Sequence, residues 1–369
     1  MHTLPLLSRL TAFLLALNFL IMVLHPSPAF PTQEADYHVF DDFPPPKSLS
    51  LCGEPMPLED RNVWEMLDRE LTIAVCDRAQ VFLWLKRAGR YFPYIEEKLA
   101  EADMPEDLKY LAVAESSLLT HARSRKGAVG AWQFMGRTAR QNGLRRDRII
   151  DERLDFERST EAAIKYLKRL KGIFGTWTLT LAAYNCGRAH LKREIKEQKV
   201  RDFYRLKLPL ETERFIFRIA AIKIIMENPE RYGYSLPQER VYRPIECDKV
   251  SVRIRIPLHI GDVAYALGTD FKVLKELNPH ILGYYLPTGR YTIKVPSGLG
   301  SRIATVLKEL TPTPSYRMKE ASDDYYVVQP GDTLSHIAMR TGIPVDTLKS
   351  LNGIHGSLIR VGQKIRLSP

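Results

Sequence analysis

The feature that most restricts the fold is a repeat in the last third of the chain. Val263-Ala264 matches Ile337-Ala338, and Gly268 matches Gly342. Leu274, Leu277 and Asn278 match Leu348, Leu351 and Asn352, all at a constant offset of 74. A run of matches at one offset marks a duplicated supersecondary unit. Both copies read strand–helix–helix–strand. In the first, 250–256 and 291–295 alternate as strands do, around helical stripes through Val263, Leu267, Leu274 and Leu277. In the second, 326–328 and 364–367 flank helical patterns over 334–338 and 345–351. The first copy has Leu258-His259 where the second has Gly331-Asp332-Thr333.

Upstream, from Val63 to about Tyr232, the pattern is almost wholly helical. Val63, Met66, Leu67, Leu71 and Val75 form one stripe, and Ile164, Leu167, Leu170 and Phe174 another. Phe215, Ile219, Ile222 and Met226 form a third, stopped by Asn228-Pro229. The expected fold class is mainly α: a helical domain over 61–240, then two small βααβ modules at 245–300 and 325–369. A segment rich in Pro and acids at 30–60 reads as an extended lead-in. A stretch at 301–324 reads as a linker, because of Thr311-Pro312-Thr313-Pro314.

The chain has 369 residues, 54 Lys+Arg against 43 Asp+Glu, a net charge of +11 and 45% hydrophobic residues. That apolar fraction excludes wholesale disorder and a polytopic membrane protein. The charge favours an anionic partner without choosing between nucleic acid, membrane and wall polymer. His2 and Arg9 precede an apolar run from 10 to 24, and small residues stand at Ser27 and Ala29. This fits a secretory signal over 1–29. Its alternative is an uncleaved anchor that associates the protein with a membrane. Export to the periplasm or cell envelope would place Cys52, Cys76, Cys186 and Cys247 in an oxidising space. Three pairings exist for four cysteines, and Cys52–Cys76 is the favoured bridge. No metal or cofactor is called for, and no protein partner is indicated.

Met104-Pro105-Glu106-Asp107 reads as a helix start. Glu115 follows one turn beyond Leu111, on or beside the buried face. A carboxyl group there loses water, which raises its pKa and suits a general acid. Most helix glutamates are solvated, so position alone is weak grounds. Context strengthens it: Glu115-Ser116 is followed by Ser124, Gly127, Gly130 and then Trp132-Gln133-Phe134. Glycines let backbone approach closely, amides bond hydroxyls, and apolar faces pack on a sugar ring. The basic stretch from Arg123 to Arg148 lacks interleaved stacking aromatics beyond those of this motif, and export argues against nucleic acid.

Glu115-Ser116, the Gly130-x-x-Gln133 turn and Ala183-Tyr184-Asn185-x-Gly187 resemble the soluble lytic transglycosylase domain, whose helical fold is like goose-type lysozyme. Supporting matches include Asp151-Glu152-Arg153-x-Asp155, Glu211-Thr212 and Asn228-Pro229, so the resemblance spans about 95–235. It implies that Glu115 is the sole catalytic carboxyl. This group would protonate the bond between N-acetylmuramic acid and N-acetylglucosamine in peptidoglycan strands, then deprotonate the muramyl C6 hydroxyl. A 1,6-anhydro ring results, the tethered hydroxyl replacing a second carboxylate. By the same resemblance Ser116, Ser124, Gly130, Gln133, Phe134, Tyr184, Asn185 and Glu211 line the glycan cleft. Ser124 could instead be a turn residue, Tyr184 a core aromatic, and Glu211 a helix cap. The chain departs from the family at Leu118, Thr120, Cys186 and Phe215. The unit at 325–369 resembles a LysM module, which implies an N-acetylglucosamine groove between Gly331-Asp332-Thr333-Leu334 and Asn352-Gly353-Ile354. Hydrolysis by water, or a scaffold that only binds, are the rival readings.

Overall fold

The computed structural model describes residues 43–310, 325–341 and 343–367. The expected signal segment 1–29 and the stretch 311–324 lie outside the described residues.

Eight helices build the body that carries Glu115: α1 (Arg61–Cys76), α2 (Arg78–Glu101), α3 (Lys109–Ser116), α4 (Gly136–Gln141), α5 (Phe156–Phe174), α6 (Trp177–Cys186), α7 (Arg188–Gln198) and α8 (Leu210–Glu227). Side-chain carboxylates start several of them. Asp60 accepts the amides of Asn62 and Val63, and Asp155 those of Glu157 and Arg158. Helices α6 and α8 contribute long buried runs to the core of this body. In α6 every residue from Trp177 to Ala183 is buried, and in α8 Phe215, Ile216, Phe217 and 219–222 are buried. Helices α1, α3 and α6 all pack on α8.

The lead-in is more than an extended segment. Strands β1 (Ser50–Leu51) and β2 (Glu54–Pro55) form a small hairpin that buries Leu51, Cys52 and Met56. The Glu54 carboxylate accepts the amides of Trp177 at 2.6 Å and Thr178 at 3.2 Å, and pairs with Lys171 at 2.9 Å. It thereby satisfies free donors at the positive end of α6. The Cys52 amide donates to Asp107 at 2.6 Å, and Lys223 of α8 pairs with the same carboxylate. The hairpin is thereby tied to the helical body.

The expected Cys52–Cys76 bridge is absent: all four cysteines are free. Cys52 is packed in the hairpin turn, whereas Cys76 is exposed at the end of α1. Burial, with Asp107 and Glu54 adding to it, drives the Cys52 thiol far above its ordinary pKa.

In the first repeat β3 (Cys247–Ile254) pairs antiparallel with β6 (Gly289–Pro296), from Cys247↔Pro296 to Ile254↔Gly289. Between them lie β4 (Leu258–His259), α9 (Ile260–Leu267), α10 (Phe271–Leu277) and β5 (Tyr285–Leu286). A third helix, α11 (Gly300–Glu309), packs on α9 and β3 and buries Ile303 and Val306. Residues 301–309 are thus part of this unit, and the linker reading fails there. Apolar residues three apart and a last-turn Lys308 make that stretch an amphipathic helix.

The second repeat pairs β7 (Tyr325–Val327) with β8 (Lys364–Arg366) around α12 (Leu334–Thr341) and α13 (Val345–Asn352). Its core is Val328, Ile337, Ile343, Leu348 and Ile365. One device is shared by both copies. The Asn278 side chain donates to the carbonyls of Leu274 and Lys294 and accepts the Lys294 amide. Asn352 does the same with Leu348 and Arg366. In each copy one asparagine ties the end of the second helix to the closing strand.

Candidate active site

Glu115 stands in the last turn of α3, which ends abruptly. Ser117 and Leu118 are both left-handed, at φ 56° and 61°. Such conformations cost about 1–3 kcal/mol each for residues other than glycine and persist only when neighbours enforce them. Here the Trp84 indole donates to Ser117 Oγ at 3.1 Å and Arg87 donates to the Ser117 carbonyl at 3.0 Å. Leu118 is itself buried. This stop leads the chain into the turn over 122–134, which meets the end of α3 where Ser116 Oγ donates to the Ala131 carbonyl.

That turn is closed by its own backbone and by clamps from around it. Gly130 donates to the Ala122 carbonyl, and Val129 and Phe134 exchange both hydrogen bonds. Gly130 has φ +87°, and a Cβ there would meet the Arg153 carbonyl at 1.9 Å, so only glycine fits. Arg153 is buried and bidentate on Asp151, and its Nη1 donates to the carbonyls of Gly127 at 3.0 Å and Phe134 at 2.9 Å. Ser116 Oγ donates to the Ala131 carbonyl at 2.8 Å, and the Tyr184 hydroxyl to that of Trp132 at 2.7 Å. Trp132 is fully buried and bonds Thr160.

These contacts sort the expected cleft residues. Phe134 is buried at 2% exposure, and Gly130 is buried against Arg153. Both lie within the turn, so their side of it is set by packing in this structure. Motif context alone cannot tell a ring that lies under a cleft from one that faces it. Ser116 and Tyr184 are partly exposed, but their hydroxyl protons are committed to the turn. Ser124 is an exposed turn residue whose hydroxyl accepts the Ala128 amide. Gln133, held at φ 47°, donates to the Gly130 carbonyl at 2.8 Å. Asn185 accepts from Thr212 at 2.9 Å. Glu211 is exposed and lies 4.0 Å from Lys126. It caps nothing: Glu213 is the residue that reaches back, to the Leu208 amide at 2.9 Å.

Glu115 remains partly exposed, and among the described residues no side-chain hydrogen bond or ion pair holds its carboxyl. Loss of water around the group raises its pKa from 4.5 to about 8; Arg218 opposes the rise and Glu211 adds to it. Arg218 comes from α8 and is a residue that sequence patterns did not single out. It is held 3.7 Å from Glu70, a buried carboxylate of α1 that also takes Arg214 at 2.6 Å and Arg69 at 2.5 Å. The result is a partly exposed carboxyl group whose neutral form is favoured by loss of water, with the Arg218 charge opposing that preference.

In the second repeat the expected groove residues split in the same way. Leu334 is buried, and the Asn352 amide is spent on the helix-to-strand tie. Asp332 accepts from the Tyr326 hydroxyl and the Gln329 amide, which fixes its loop. Thr333 accepts the His336 amide at the start of α12. Gly331 and Gly353 are exposed and left-handed, and Ile354 packs beside the core.

Comparison with known proteins fits this geometry. Residues 92–207 match the Transglycosylase SLT domain family and residues 326–368 the LysM domain family. The chain is 32% identical over 292 residues to membrane-bound lytic murein transglycosylase D of Escherichia coli, covering 76% of this chain and 64% of the relative. It thus spans slightly less than two thirds of that protein. A 47-residue stretch is 49% identical to an autolysin of Enterococcus faecalis, covering 13% of this chain and 6% of the relative. Among solved structures, the 70 kDa soluble lytic transglycosylase of Escherichia coli aligns with 48% of this chain and 33% of its own, at 17% identity and a TM-score of 0.33. Residues 92–207 are thus similar to the transglycosylase SLT domain family and residues 326–368 to the LysM domain family.

Proposed function

We propose that this protein is a peptidoglycan lytic transglycosylase of the cell envelope. It cleaves the β-1,4 bond between N-acetylmuramic acid and N-acetylglucosamine and leaves 1,6-anhydro ends. The observation that carries this reading is Glu115: a carboxyl group raised to about 8, unpaired, beside a clamped turn. Protonated at neutral pH, it gives its proton to the glycosidic oxygen as the bond breaks. As a carboxylate it then takes the proton of the C6 hydroxyl, which attacks C1 of the same sugar. The attacking oxygen is already part of the substrate, so effective molarity replaces a second carboxylate. Glu211 does not fill that second role, being exposed and beside Lys126. Gln133 and Asn185 keep amide atoms for sugar hydroxyls, and the backbone carbonyls around 130–132 are held by clamps. The repeat at 325–367 holds the enzyme on glycan strands through the loops at Gly331 and Gly353. Linkage raises the local concentration of enzyme on a polymer, so modest affinity suffices.

Mass spectrometry of murein digested by the purified protein tests the reading. Anhydro ends are expected; reducing ends would make it a muramidase, and an absence of products a binding scaffold.

A further inference from the structure

The loops of the first repeat that correspond to the second repeat's expected groove are engaged in other contacts. By the offset of 74, Pro279-His280 correspond to Gly353-Ile354, one side of the second repeat's loop pair. In the first repeat this side is used against the helical body. The Asp151 amide donates to the His280 carbonyl at 2.8 Å and the Leu282 amide to the Ile149 carbonyl at 2.7 Å, with Ile150 and Ile281 as the bridged pair. Ile150 is buried inside the repeat's own core, beside Leu274 and Ile281. The other side is occupied as well: His259 pairs with Tyr285 through β4 and β5, and its ring stacks on Tyr284 and Phe271. Two lysines secure the junction. Lys294 lies 3.3 Å from both Asp155 and Glu157, and Lys249 lies 2.8 Å from Glu157.

What this junction grips is the 149–155 segment, two isolated bridges followed by a 3-10 turn, which packs against the 127–134 turn. Asp151 is the bidentate partner of Arg153, and Arg153 alone reaches two carbonyls of the 127–134 turn. Its own carbonyl sits against Gly130. Asp155 starts α5, whose Thr160 receives the Trp132 indole. Accepting that Glu115 is the acid, we propose that the first repeat is a positioning element of the active site and not a glycan-binding module. Its 279–282 loop holds 149–155, and Arg153 passes that restraint to the 127–134 turn.

The test uses the full chain with Lys249→Met and Lys294→Met combined, and separately Leu282→Pro, which deletes the amide donor to Ile149. Amide exchange over 127–134 is the primary readout, because it reports the turn whether or not the chemistry is as read. We expect exchange there to rise by about tenfold. On soluble murein oligosaccharides kcat should fall by about as much, with KM changed less than about twofold. Lys249→Arg with Lys294→Arg should restore both. Unchanged protection of 127–134 in both variants overturns the proposal. A failure of the Glu115 reading shows separately, as a parent protein that makes no anhydro ends.

Discussion

Replacing Glu115 by Gln should abolish turnover and, at the same time, make the protein more stable in a way that grows with pH. The folded carboxyl has its pKa raised from 4.5 to about 8, so between these values the folded state binds a proton that the unfolded chain has released. Stability from this group is complete below about pH 4.5 and is lost progressively as pH rises through 8. By linkage the whole rise corresponds to about 5 kcal/mol, and the part reached at pH 7 to about 3 kcal/mol, both upper bounds because the side chain retains some solvent. A neutral amide of the same shape carries none of this burden. At pH 7 the variant should melt roughly 5–10 °C higher than the parent. At pH 4 the two should nearly coincide. The assay is a set of thermal melts across pH 4–9, paired with product analysis. A difference in melting point independent of pH would refute the view that Glu115 is held neutral by its surroundings.

Cleavage should depend on the same proton: kcat/KM is expected to fall about tenfold per pH unit above pH 8. Arg218→Met removes the cation that opposes the rise and should move this limb to higher pH; a limb that stays in place would exclude Arg218 as a partner. Gly130→Ala puts a methyl group on the Arg153 carbonyl at a left-handed position, which should cost more than about 3 kcal/mol and is read from denaturant unfolding. Deleting 325–369 should sharply reduce sedimentation with insoluble murein while cleavage of short soluble glycans stays nearly unchanged. Equal sedimentation would remove the second repeat from glycan binding.

Much of this was legible in the residues because it is periodic or local. The stripes on α1, α5 and α8 are helix faces, and the offset of 74 found two copies whose Asn278 and Asn352 make the same tie. The spacing of Glu115 one turn beyond Leu111 was legible, although the α-helix that carries both starts at Lys109, after a 3-10 turn over Glu106–Leu108. Other features have no local signature. Arg218 reaches Glu115 from a distant helix, and its partner Glu70 lies on another. Strands of two residues are too short to alternate, so the 50–55 hairpin left no pattern. Phe134 and Gly130 are buried in the turn, which a motif does not reveal, since it fixes neighbourhood and not exposure. In α11, the stripe of Ile303, Val306 and Leu307 was obscured by the Thr-Pro run that follows.

Ile150 belongs to the 149–155 segment of the helical body, yet it is buried in the core of the first repeat. A core that draws a side chain and a backbone bridge from the preceding helical body is not expected to melt separately from that body. Residues 44–310 are therefore expected to unfold in one cooperative transition, and 325–367, with a core of its own, in another. The border near residue 240, plain in the change from helical to alternating pattern, has no counterpart in folding thermodynamics. A gene fragment ending there would leave Ile149 and Ile150 facing water, and the aggregation it invites would say nothing about the chemistry of the cleft.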